Sequence, residues 1–454
     1  CDRGSHRYVA CDSGPAVTWR GFVAILIGFA LVVGACSADP MTEAVANDQA
    51  VAVEPSTAVQ PTAMPTPTPV PTVVPTPQPS PTATPVPAPT PTPTPVDTNP
   101  VVIQGDGWVT TEADVARLAA VVEEIHELVF TSDVTVLVSD DVGAEYAPDF
   151  EPFSVEEWYL LQGLGLANNQ ADRDVANQVR RDRIRGLCCR FENGTQVVVE
   201  VEATKLETEA ILVHELTHAL HTQHPELFEG TRFESDETPK PYGASIEGVP
   251  QFVTFAYLDR APAEELALVT PELPIIRPDM VPLVGPGPAR HVNFSYATGP
   301  AFVEAIFDAR GVEGLFDLLM TPATTTEQIL FPEKYLAGEA AVDVPTPSAP
   351  FGVDVRATGT IGAAMLLSAL VDGREELAVR ELVEPWAGDR FIVYETDEDL
   401  CLIATIVMDT PQAAVALGET LVAGLQPTFP DTSVMMAEVD VDTQFELRTC
   451  GAAS

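Results

Sequence analysis

The chain has 454 residues and a formal net charge of −44, set by 67 acidic against 23 basic residues, only three of them lysine. Such a surface repels phosphate backbones, so the composition argues against a nucleic-acid partner. About the first hundred residues lack globular character, which leaves roughly 350 for one sizeable core or two smaller ones.

The first element is an apolar run at 21–35 (GFVAILIGFALVVGA), preceded by Arg7 and Arg20. At about 1.5 Å per residue it is short for a hydrocarbon layer of roughly 30 Å, and it fits the core of a signal peptide. It ends in Val33-Gly34-Ala35-Cys36, which resembles the lipobox of bacterial lipoproteins: an aliphatic residue, two small ones, then cysteine. The resemblance implies acylation of Cys36, residues 1–36 as signal segment, and a protein lipid-anchored to the membrane at the cell surface. Residues 37–100 are dominated by Pro, Thr, Val and Ala. Proline fixes φ and removes donors, so this stretch is expected to be an extended stalk reaching on the order of 150–200 Å.

The folded part divides by pattern into 101–385 and 386–454. Val115, Leu118, Val122, Ile125 and Val129 recur at helical spacing and predict a helix over 111–130, followed by a strand over 134–138. Ser154 with Glu157 forms a capping box for a helix through Leu166. Segments 184–191 and 196–201 flank Asn193-Gly194 and predict a β-hairpin, whose second strand is a candidate edge for a bound extended peptide. Thr204 with Glu207 opens a helix that runs to about Gln223, before Pro225. Further helices are predicted over 245–258, 297–310 and 358–370. After Trp386 the pattern predicts strands at 390–395 and 401–408, a helix at 411–425, and strands at 434–441 and 445–450.

Four cysteines lie beyond the signal segment. An even number suits an oxidising compartment, and Cys401–Cys450 is the expected bridge. Cys188 and Cys189 are adjacent, would bond each other only with strain, and are expected to be unpaired core residues.

The chemistry concentrates in His214-Glu215-Leu216-Thr217-His218. Two histidines four apart on a helix project from one face about a turn apart, so both can grip one Zn²⁺. Glu215 lies beside them as the general base, taking a proton from a water that the metal acidifies. A chance HExxH is expected in roughly one sequence of this composition in a hundred. The capped helix after a hairpin, and four of the seven histidines falling between 214 and 224, weigh against accident.

A third ligand has two candidates. Glu247, on a following helix, would complete a gluzincin arrangement and is the preferred choice. His224 has metzincin spacing, but His221 stands where that pattern needs the glycine that turns the chain out of the helix. His221 itself shares the ligand face one turn beyond His218, and is expected to support the site or face solvent. Tyr296 and His291 are candidate donors to a transition-state oxyanion.

HELTHALHTQH, the later Glu247-Gly248, Tyr296-Ala297-Thr298-Gly299 before Phe302-Val303, TTTEQILFPEKYL and Trp386-Ala387-Gly388-Asp389-Arg390 together resemble a group of gluzincin-type surface lipoproteins of bacteria and archaea, over about residues 150–400. The resemblance implies a zinc metallopeptidase. This chain departs from the group at Glu247-Gly248-Val249-Pro250, where relatives read Glu-Gly-Asp-Ala, and at Phe331-Pro332, where they read His-Pro. The absent Asp removes a partner that would orient a ligand histidine, which bears on activity more than on metal binding.

The expected fold is α+β: a mainly helical, zincin-like core at 101–385 with a small sheet beside the HExxH helix, then a small α+β region at 386–454. The expected function is zinc-dependent hydrolysis of peptide or protein substrates. The alternatives are an inactive metal-binding surface lipoprotein acting as a binding or envelope protein, and a metal-free adhesin.

Overall fold

The computed structural model describes residues 32–34, 101–104, 112–148, 152–168, 170–189, 195–202, 204–228, 237, 239–267, 281–436 and 443–452. Cys36, the 37–100 stalk and the Asn193-Gly194 turn lie outside them.

Helices and strands mix throughout, around two five-stranded sheets. The first sheet takes β1 (Val32–Gly34), β2 (Val101–Gln104), β3 (Val134–Ser139), β4 (Ile184–Cys188) and β5 (Gln196–Glu200) in the order β1-β4-β5-β3-β2. Only β4 and β5 pair antiparallel, as the hairpin pattern predicts. The order corrects one expectation: β5 lies between β4 and β3, so its backbone groups are spent in two ladders and cannot receive a peptide strand.

Helix α1 (Glu112–His126) buries Val115, Leu118 and Val122 and stops where Glu127 takes φ 55°. Before β4 come α2 (Val142–Tyr146), α3 (Val155–Gly163) and α4 (Gln170–Arg181). The Ser154–Glu157 capping box forms as its sequence requires. After β5, α5 (Lys205–Thr222) is capped reciprocally by Thr204 and Glu207, and every residue from Leu206 to His221 is buried. A helix enclosed on all sides lies inside the core, so its polar residues need partners there.

Next come α6 (Pro239–Leu258), α7 (Ala263–Leu266), α8 (Val281–Val284) and α9 (Pro286–Arg310). Both α6 and α9 begin well before their predicted starts, despite internal prolines. They cross almost backbone to backbone: a Cβ on Gly299 would lie 2.5 Å from the Ala244 carbonyl, and one on Gly248 would lie 2.9 Å from Gly299. Then follow α10 (Val312–Met320), α11 (Thr326–Leu330) and α12 (Pro332–Ala337).

The second sheet is antiparallel throughout, in the order β6-β7-β8-β10-β9. Its members are β6 (Asp354–Gly359), β7 (Trp386–Glu395), β8 (Asp399–Met408), β9 (Ser433–Met436) and β10 (Gln444–Ala452), with α13 (Gly362–Leu370), α14 (Glu376–Val383) and α15 (Pro411–Leu425) between them. The helix predicted from Thr358 starts instead at Gly362. Thr358 and Gly359 finish β6, and the turn into α13 is fixed by the buried Asp389 carboxylate, which accepts from the backbone N–H of Ile361 (2.6 Å) and Gly362 (2.9 Å). Gly362 has φ 76°, which favours glycine.

Cys401 and Cys450 face each other in the β8–β10 ladder and are bonded, as expected. Cys188 and Cys189 are also bonded, contrary to the expectation of free thiols. Cys189 adopts φ 68°, a turn at the end of β4 that brings the neighbouring sulfurs together. One hydrophobic cluster runs from Val115 to Leu447 and takes in residues of both sheets.

Candidate metal centre

Three side chains from two helices converge on one point in the core. From α5, His214 and His218 present their Nε2 atoms 3.2 Å apart. From α6, Glu247 brings Oε2 to 3.3 Å from the first and 3.2 Å from the second. A tetrahedral ion bonded at about 2.0–2.1 Å has ligand–ligand edges of about 3.3–3.4 Å, so this triangle of two nitrogens and one oxygen has the right size. It is the one group of three or more such side chains among the described residues able to hold a metal ion.

The electrostatics suit a cation. Burial lowers His214 to about 4, so its imidazole is neutral at physiological pH with a lone pair to give. Burial alone would raise Glu247, but the neighbouring His218 and His214 outweigh it and hold the carboxyl at about 2.

The fit also rests on polar atoms that the protein leaves without hydrogen-bond partners. Both carboxylate oxygens of Glu215 and Oε1 of Glu247 are buried and unbonded. A buried carboxylate without donors costs several kcal/mol by order of magnitude, and a cation with its water is what would meet that need. Burial, and then the Glu247 charge, push Glu215 well above the usual carboxylate range. Its position depends on Gly186 in β4, where a Cβ would stand 2.5 Å from Glu215 Oε1. A glycine inside a strand is the sequence sign of such an approach.

Tyr296, on α9, has its ring centroid 6.4 Å from that of His214, and burial and Glu247 raise its hydroxyl well above the usual range. Arg180 was not foreseen. At the end of α4 it lies 4 % exposed, its guanidinium carbon 5.4 Å from the Tyr296 ring centre, with Nε and Nη1 unbonded. Its signal was available: Ala176, Val179 and Arg180 share an i, i+3, i+4 stripe, which puts an arginine on the buried face of an otherwise polar helix. Gln251, one turn beyond Glu247, is buried beside His214 with its amide unbonded.

Other candidates stand elsewhere. His224 caps the short turn at Pro225–Leu227, with Nε2 2.9 Å from the Val129 carbonyl and Nδ1 2.9 Å from Glu226, away from the triangle. His291 is a correction. It faces Lys240 Nζ at 2.9 Å and Glu157 at 3.3 Å, so of the two oxyanion donors considered only Tyr296 borders the centre. His221 does not face solvent: it is buried, with Nε2 2.6 Å from that of His126 on α1.

Comparison with protein-family models, curated proteins and solved structures gives no match. The residues therefore carry the functional reading alone.

Proposed function

We propose that the protein is a zinc-dependent peptidase with a zincin-like core, held outside the cytoplasmic membrane by a lipid on Cys36. The observation that carries the reading is the 3.2–3.3 Å triangle of His214, His218 and Glu247 beside the unbonded carboxylate of Glu215. Two imidazoles and one carboxylate, buried together, suit Zn²⁺ over the hard, oxygen-seeking divalent ions.

Zinc bound there supplies Lewis acidity and a lowered water pKa. Glu215 takes the proton at its carboxylate and passes it to the leaving amine. The Tyr296 hydroxyl and the Arg180 guanidinium interact with each other and with Glu247, and are the candidate donors to the oxyanion of a tetrahedral adduct. Gly186 keeps β4 clear of the Glu215 carboxylate.

A second reading has an observation of its own. His214, Glu215, His218 and Glu247 are between 0 % and 3 % exposed, which suits a non-catalytic protein that keeps a metal for binding or structure. One experiment separates the two. Purified protein is assayed for zinc and for cleavage of a mixed peptide library, beside Glu215→Gln. Zinc at one per chain with cleavage lost in Glu215→Gln supports the peptidase. Zinc without cleavage in either protein favours the second reading, and protein that takes up no zinc ends both.

A further inference from the structure

A cavity of about 550 Å³ opens between α3, α6, α9, α11, α13 and α14, and none of the metal-centre residues lines it. Its wall is mostly apolar, with Leu160, Phe294, Ile361, Met365, Leu367 and Val371 among the lining side chains. A space of this size holds a small organic molecule. Its polar groups decide which kind.

Lys240, Arg290 and Arg380 all line the cavity, in a chain with 23 basic residues against 67 acidic. Arg290 is committed to Asp372 at 2.8 and 3.0 Å and to Ser368. Lys240 is not. Of its three donors, one meets His291 Nε2 at 2.9 Å, and the nearest carboxylate, Glu157, is 4.0 Å away and already 3.3 Å from His291. Arg380 spends an N–H on the Leu330 carbonyl and lies over the Phe331 ring, and among the described residues it forms no ion pair with a carboxylate.

Of the acids on the same wall only Glu157, 4.0 Å from Lys240, offsets part of this charge, and none pairs with Arg380. Glu237 accepts from the backbone N–H and hydroxyl of Thr326, and burial, with Asp389 and Glu327 nearby, pushes it up to about 8, which weakens its negative charge. Glu157 is shared with His291, and Glu376 stands exposed at the start of α14. Burial lowers Lys240 from its usual range, with Glu157 opposing, and an anion beside the ammonium would offset what burial costs it. A basic, apolar recess in a protein of charge −44 selects for charge of one sign.

We infer that this cavity binds a small amphiphilic carboxylate, its head on Lys240 and its apolar body against Leu160, Phe294, Ile361 and Met365. The site does not depend on the metal centre, although α6 and α9 contribute to both. Two sources share this chemistry: a free fatty acid, and the C-terminal end of a short apolar peptide.

The test is calorimetric titration of the full chain with dodecanoate and with a blocked dipeptide ending in phenylalanine, each beside its neutral amide. The acids should bind at one site, about tenfold or more tighter than the amides. Lys240→Met should erase that preference and Lys240→Arg should keep it. Ala364→Phe, which fills the cavity from a half-buried position, should abolish binding of acid and amide alike. The tighter of the two acids identifies the source. Amides binding as tightly as acids, no binding of either acid, or an unchanged preference in Lys240→Met would overturn the inference. If Lys240→Met fails to fold, the acid-to-amide ratio on the wild type and the Ala364→Phe result decide it.

Discussion

The metal centre and the second sheet bury polar side chains to opposite ends. In the second sheet they are satisfied: Asp389 accepts from Ile361, Gly362 and the Trp386 indole, and the Thr449 hydroxyl donates to the Gly163 carbonyl at 2.8 Å. Around the metal centre they are not. Every buried, unbonded side-chain atom among the described residues lies between His126 and Asn293, and Arg180, His214, Glu215, Glu247 and Gln251 all contribute. Satisfied groups hold a fold together. Unsatisfied ones in an equally tight core cost stability, and a bound ion and substrate are what would offset that cost.

This contrast can be broken by substitution. The largest effect is expected at the triangle. His214→Ala or Glu247→Ala should weaken zinc binding by about a thousandfold or more, while His224→Ala leaves it unchanged; metal analysis after dialysis against a weak chelator reads this directly. Retention of zinc by Glu247→Ala together with its loss in His224→Ala would reverse the ligand assignment.

Asp389→Ala should do the converse, lowering stability by about 2–4 kcal/mol in urea titrations with zinc stoichiometry intact, because it orphans two backbone donors and an indole. Cys401→Ala with Cys450→Ala should cost a similar or smaller amount, about 2–4 kcal/mol at most, again without loss of metal.

A further effect concerns pH. Burial raises Glu237 to about 8, so the stability it contributes is complete below the ordinary carboxylate range and is lost as pH rises through about 8. Urea midpoints of the wild type should fall between about pH 5 and pH 9, and Glu237→Gln should remove part of that slope. Parallel profiles for the two proteins would show that Glu237 titrates as an ordinary carboxyl.

What was legible in the sequence is what is local. The capping boxes at Ser154 and Thr204 form as written, the hairpin pairs in register, and Pro411–Leu425 is a helix with the predicted bounds. The i, i+4 histidines share a face because helix geometry leaves no other choice. Glu247 was within reach only as a carboxylate on a later helix, since its approach depends on how α5 and α6 pack.

Other features were hidden because contacts distant in sequence decide them. The interior position of β5 depends on β3, more than fifty residues earlier. Thr358 and Gly359 are drawn into β6 by pairing with Ile392 and Phe391. The Cys188–Cys189 bond occurs with a positive φ at Cys189, which sequence spacing does not reveal. His291 was a candidate because, like Tyr296, it was expected to precede a helix that follows the metal helix, whereas both lie inside α9. On α9 the two are five positions apart, and they point toward different neighbours.

The contact between Gly248 and Gly299 has a mechanical consequence. Glu247 is joined to the pivot where α6 leans on α9, so even one methyl at either glycine would act as a wedge at a fulcrum and swing the carboxylate off its two imidazoles. The geometry of the triangle thus depends on a pair of hydrogens that never touch it.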